Sequence, residues 1–143
     1  MANADAAQGL KPMRYLSGAP YNGAANTYFV PASDSTAIYI GGLVKFAGSA
    51  NADGVASVTG NVATGDAVVG VVVGVKPGTA DSTIYRAASV ERMVLVADDP
   101  ALVFEAQEDS TGAALAAAAV GNTADLAGFT SGSTFTGLSA MEI

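Results

Sequence analysis

The sequence predicts a mainly β protein: a small β-barrel or sandwich with an extended N-terminal arm and one short Ala-rich helix. Three observations carry that reading. Short runs of Val, Ile, Leu, Phe and Tyr recur through residues 37–107, each bounded by Gly, Asn or Asp. Residues 1–35 hold only short apolar stretches among Ala, Asn, Gly and Pro, and a run of Ala follows residue 112. At 143 residues, with half of them apolar and only 13% charged, the chain has enough core for one domain and too little length for two. Residues 36–143 are therefore assigned to a single β-rich domain, with residues 1–35 as the arm.

Within the arm, residues 15–31 alternate aromatics with turn formers. Pro fixes φ, Gly supplies positive φ and Asn22-Gly23 favours a tight turn, so the segment can be rigid without being regular. Tyr15, Tyr21, Tyr28 and Phe29 hang from it, and Tyr combines large contact area with a polar tip. Such a segment either packs as a decorated hairpin on its own domain or docks on a partner. Fully extended at roughly 3.3 Å per residue, an arm of this length reaches on the order of 100 Å. Its removal up to residue 31 is expected to leave a folded domain.

Strands are expected at residues 37–40, 43–46, 55–59 and 67–75, separated by Gly41-Gly42, Asn51 to Gly54 and Thr64 to Asp66. The Val-rich run from Val68 to Val75 reads as a strand buried on both faces. Gly70 and Gly74 inside it imply a bulge or a close backbone contact. Residues 84–96 supply the next strand, most clearly at 92–96, and residues 102–107 another after an Asp98-Asp99-Pro100 turn. Ser110 or Thr111 can cap a helix that the Ala run propagates and Gly121 or Asn122 closes. Residues 128–137 fit either a strand pair or a loop.

The absences in this composition exclude much chemistry. Without Cys or His there is no disulfide, no Cys/His zinc site and no Ser-His-Asp or Cys-His nucleophile. An enzyme would have to use carboxylates, Lys or Tyr. Asp98, Asp99, Glu105, Glu108 and Asp109 form an acidic group that could suit Ca²⁺ or paired-carboxylate glycoside hydrolysis. They lack calcium-loop spacing, however, and read better as solvated turns and as acids placed before a helix start. No catalytic residue, metal or cofactor is expected.

Arg86 and Arg92 are expected in surface salt bridges with Glu91 or the acidic group. The net charge is −7, and the six cations are spread out, so direct nucleic-acid binding is not expected. No phosphate-cradling glycine motif occurs. The longest apolar run, residues 67–75, falls far short of the roughly 20 residues that span a bilayer, so no membrane partner is expected. The N-terminal residues lack the basic start and apolar stretch of a signal peptide.

In Tyr15-Leu-x-Gly-Ala-Pro-Tyr-Asn-Gly-Ala-x-Asn-x-Tyr28-Phe-Val-Pro31, Gly70-Val-Val-Val-Gly74, Tyr85-Arg-x-Ala-Ser89, Val94-Leu-Val-Ala-Asp-Asp-Pro100 and Phe104-Glu-x-Gln-Glu-Asp109, the chain resembles the head decoration, or structural cement, proteins of tailed bacteriophages. The resemblance spans residues from about 10 to 126. Chains that look like this often continue into another strand-rich stretch, whereas here Ala140-Met-Glu-Ile143 follows; the departure bears on how the barrel closes, or else is expected where the natural chain continues past Ile143. The resemblance implies a protein made in the host bacterial cytoplasm that binds the outer surface of the mature icosahedral head. There it bridges capsomers and stabilises the shell against genome pressure. Its implied partners are the major capsid protein and sister subunits, as a trimer or else a dimer. Tyr15, Leu16, Pro20, Tyr21, Asn22, Asn26, Tyr28, Phe29 and Arg86 are the expected contacts with capsid or sister subunit. Two other readings stand beside it: a carbohydrate-binding or adhesin-type β module on the virion surface, drawn from exposed Tyr on a β scaffold, and a carboxylate enzyme centred on Glu105 or Glu108.

Overall fold

The computed structural model describes residues 6–109 and 114–143. Its strands are β1 (Lys11–Tyr15), β2 (Asn26–Val30), β3 (Leu43–Ala50), β4 (Ala56–Thr59), β5 (Gly70–Val75), β6 (Arg92–Ala97) and β7 (Leu102–Glu105). Five of them close a barrel in the order β2-β4-β3-β5-β6, with β6 pairing back to β2, while β1 and β7 form a separate antiparallel pair. The protein is mainly β, and of the barrel or sandwich that the spacing of apolar runs predicts, its architecture is the barrel.

The barrel interior is almost entirely β-branched: Val30, Ile38, Val44, Val58, Val72, Val94 and Val96 are buried together. Stiff, branched side chains suit a pleated wall and fill a narrow interior without long rotamers. A second cluster, Leu10, Leu43, Val62, Val71 and Met141, lies outside the barrel wall, with Phe104, Leu126 and Phe129 packed against it. Leu43 and Val44 are neighbours in β3, as are Val71 and Val72 in β5, and in each pair one residue enters each core. Period-2 alternation therefore buries both faces of this part of the sheet. The expectation of two-sided burial holds at Val71 and Val72, while Val68, ahead of the strand, is exposed. A Cβ on Gly70 would collide with the Ala97 carbonyl, and the β5–β6 register shifts between Val72 and Gly74. Both glycines thus serve the close approach and the bulge that their positions announce.

Four expectations need correction. Residues 1–35 are not a detached arm, because β2 lies within the barrel: Asn26 to Val30 pair in register with Val96 to Arg92 of β6, and Phe29 pairs with Ser57 of β4. Without β2 both neighbouring strands would present open edges, and that constraint outweighs the loop-like composition around it. Residues 37–40 form no strand but two isolated bridges, Ile38 with Arg86 and Ile40 with Leu138. The Ala-rich segment yields only a 3₁₀ turn at Ala117–Ala119, with no buried residue; the expected caps Ser110 and Thr111 lie outside the described residues. Ala propagates a helix well, but a short run with no apolar face to pack has little to offset nucleation.

The fourth correction concerns Arg86, which is fully buried and neither a surface contact nor part of a surface salt bridge. Its Nε donates to the Val90 carbonyl at 2.7 Å and its Nη1 to Thr36 at 2.6 Å. Its Nη2 donates to the carbonyls of Pro31 and Asp34 at 2.7 and 2.8 Å. Burial pushes the guanidinium's pKa down, and the nearby Asp34 charge acts the other way. The planar fork of donors is what allows one cation to hold four carbonyls from two loops. Arg92 is likewise buried and donates to the Lys76 carbonyl instead of pairing with an acid. Residues 127–142 form no long strand pair; isolated bridges Ala127 with Glu142 and Gly132 with Ser139 fold this segment so that Met141 caps the outer core. The barrel closes with strands drawn from residues 26–97.

The Arg86→Lys substitution keeps the charge but, with a shorter side chain and three N–H donors on one nitrogen, cannot reach all four carbonyls. It is expected to lower unfolding stability by about 3 kcal/mol in urea denaturation, because buried acceptors lose their donors. A loss under about 0.5 kcal/mol would show that the clasp is dispensable.

Candidate interaction surface

Residues 13–21 fold back as a compact hairpin. The Tyr15 carbonyl accepts from Gly18 N at 2.9 Å, Tyr15 N donates to Ala19 O at 2.8 Å and Tyr21 N to Met13 O at 3.1 Å. Gly18 has φ +92°, so the turn needs a residue without a Cβ at this point. At the tip, Leu16 N donates to the Ala101 carbonyl at 2.8 Å, which pins the hairpin to the turn between β6 and β7. The Leu16 side chain is 71% exposed on that fixed backbone. Pro20 is also exposed and bridges back to Arg14.

Tyr15 and Tyr21 face each other across this hairpin, with ring centroids 6.4 Å apart and planes tilted by 49°. Tyr15 Oη donates to Asn22 Oδ1 at 3.0 Å, the same oxygen that accepts from Ala24 N, and Tyr21 Oη donates to the Ala24 carbonyl at 2.9 Å. The polar tips thus tie the hairpin to the following loop. Burial, and then repulsion from Tyr15, raise the Tyr21 pKa.

A second group forms where β2 meets the end of β6. Asp98 accepts from Tyr28 Oη at 2.6 Å and from Asn26 Nδ2 at 3.1 and 2.9 Å. The Tyr28 ring meets Phe46 edge-on, with centroids 6.0 Å apart, and Phe46 is 59% exposed at this mouth of the barrel. The hydrogen bond to Asp98, then burial, then the carboxylate's charge push Tyr28 up to about 12. For Asp98, burial acts upward, but hydrogen bonds from Tyr28 and Asn26 outweigh it and hold the carboxyl below its ordinary value.

The structure therefore brings Tyr15, Leu16, Pro20, Tyr21 and Asn22 together in one hairpin, and Asn26 and Tyr28 together around Asp98. The Asp98-to-Ala101 turn links the two groups, since Asp99 Oδ1 accepts from Ala101 N and the Ala101 carbonyl holds Leu16. Phe29, one residue on from Tyr28, lines a different cleft, and Arg86 lies in the core. Phe46 is not among the expected contacts, although strand alternation from the inward Val44 places it on the same side. Nor are Tyr39 and Tyr85, whose rings stack at 5.1 Å, or Phe135, which is 91% exposed. These partners are distant in sequence, so no local pattern marks them.

Among the described residues, no group of three or more His, Cys, Asp or Glu side chains could hold a metal ion, and no helix is long and apolar enough to cross a membrane. Asp98 is held ionised by neutral donors, which suits a structural anchor better than a proton donor. What the surface offers is fixed shape and apolar area, its tyrosine hydroxyls being bonded within the chain.

The pKa directions set opposite pH limits on this anchor. The folded pKa of Tyr28 lies above its ordinary 10.0, so its contribution to stability is complete below pH 10.0 and is lost as pH rises toward about 12. That of Asp98 lies below its ordinary 3.8, so its contribution is present above pH 3.8 and is lost as pH falls through the folded value. In an ultraviolet phenolate titration, Tyr28→Phe is expected to remove a phenol that ionises near 12 and to reduce stability at neutral pH by about 1 kcal/mol. Loss instead of a phenol that ionises near the ordinary 10.0 would contradict the Tyr28–Asp98 bond.

No protein-family model, no curated protein and no solved structure matches this chain.

Proposed function

We propose that the protein is a decoration, or structural cement, protein of a tailed-bacteriophage head, bound to the outer surface of the mature shell. The observation that carries this reading is Leu16: a large apolar side chain, 71% exposed, at the tip of a hairpin whose backbone is hydrogen-bonded on both sides. Exposed apolar area on a fixed backbone suits docking, because little ordering entropy is lost on contact. The resemblance carried by residues 15–31 names the surface it meets. Phe46 at the barrel mouth and Phe135 on its turn add exposed aromatic area to the same molecule.

Cement action follows from differential affinity. A binder that touches two capsid subunits only in their expanded arrangement stabilises that arrangement. Sister copies joined as a trimer, or a dimer, raise the effective concentration of each remaining contact once one has docked. Many modest contacts then resist pressure from the packed genome. The carbohydrate-binding alternative asks for open aromatic faces, whereas Tyr15 and Tyr21 turn toward each other and their hydroxyls are engaged within the chain.

Deleting residues 1–31 would remove β2 and open the barrel, so a single change at the tip is the informative one. In cosedimentation, the wild-type chain is expected to bind mature heads and not unexpanded ones. Leu16→Asp should weaken binding about tenfold or more while the fold is retained, since burying Leu is worth about 1.5–3 kcal/mol. Equal affinity for both shell forms, or for neither, would end the proposal. Hits on a glycan array without shell binding would favour the adhesin reading.

A further inference from the structure

We infer that the cleft beneath β2, at the barrel end away from Tyr28, is a binding site for a side-chain carboxylate presented by a protein partner. The cleft has a volume of about 260 Å³ and is lined by Phe29 of β2, Lys76, Pro77 and Gly78 after β5, and Glu91 and Arg92 at the start of β6. This is below the roughly 300–1,000 Å³ of small-molecule pockets and matches one acidic side chain with part of its backbone.

Arg92 is 93% buried, having 7% relative exposure, yet uses few of its donors. Its Nη1 donates to the Lys76 carbonyl at 3.1 Å, and its Nη2 reaches Thr83 Oγ1 only at 3.5 Å. A guanidinium carries five N–H groups, so most of this one's capacity is unspent, whereas Arg86 commits four of its five. Lys76 Nζ has a neutral partner, Thr27 Oγ1, at 3.0 Å. Neither cation has an ion-pair partner among the described residues. In a chain of net charge −7, the cleft thus gathers two of six cations against one acid. A carboxylate fits this combination: its two oxygens match the guanidinium fork, Lys76 adds a point charge, and the Phe29 ring walls the aliphatic stem. The inference goes beyond the shell reading and stands or falls without it.

The test is a heteronuclear NMR titration of the full chain that follows the Arg92 Nε–H signal. The probe is N-acetyl-glutamate amide, with N-acetyl-glutamine amide and inorganic phosphate as comparisons. A saturable shift with the glutamate probe, absent with the glutamine probe, is expected. Lys76→Gln should weaken it about threefold or more and Glu91→Gln should strengthen it about twofold, as exposed charges do. Both residues are exposed, so these variants report even if Arg92→Gln fails to fold. An equal response to the glutamine probe, no shift with either, or phosphate saturating at about tenfold lower concentration would overturn the assignment.

Discussion

Closure of the barrel by β2 is the constraint on which the rest of the structure depends. This strand is bonded on both sides, to β6 over five registered pairs and to β4 at Phe29–Ser57. Its alternation then fixes three consequences. Val30 enters the β-branched interior, Tyr28 packs at one mouth where Asp98 follows the end of β6, and Phe29 faces outward to wall the cleft beside Arg92. Because β1 is paired with β7, the chain between β1 and β2 must turn back on itself, and the Tyr15–Tyr21 hairpin is that return. The proposed contact surface is thus held by the same pairings that hold the core.

Two buried arginines show how one residue type does different work at one end of the barrel. Arg86 spends its donors on carbonyls at Pro31, Asp34, Thr36 and Val90, and so fastens the loop after β2 to the loop before β6. With four of its five N–H groups committed and no exposed surface, this cation has little left to offer a ligand. Arg92 sits at a comparable depth with one good bond and one long one. The difference lies in the supply of nearby carbonyls, not in the depth of burial, and it separates a structural clasp from an open binding group.

How much of this was legible in the sequence depends on how local each cause is. The strands β3 to β7 were readable within a few residues because alternation and turn residues lie inside each segment. Gly70 and Gly74 likewise announced a close approach and a bulge. What escaped were relations across the chain: Tyr28 reaches Asp98 across 70 positions, and Arg86 reaches three of its four carbonyl partners across 50 to 55. The expectation of a detached arm fails for the same reason, since nothing in residues 26–30 reports that β6 lies ready to pair with them. The Ala run erred in the opposite direction: its local propensity was clear, but it found no packing partner and formed a single turn.

The hairpin's rigidity bears directly on what it can do. A flexible apolar loop can bind a surface, but it follows that surface when it moves and transmits little force. Leu16 is held by the β6–β7 turn, that turn by Asp99, and its neighbour Asp98 by Tyr28 and Asn26 of the barrel strand. Displacing the tip therefore requires breaking hydrogen bonds that run back to the barrel wall. The proposed cement role, keeping two subunits from separating, needs this continuity between contact and core, because packed cores are bistable and not continuously deformable. The same continuity explains why exposing Leu16 is tolerated in the free chain: the hydrogen bonds, not apolar burial, hold the tip in place, which leaves its apolar area available to a partner.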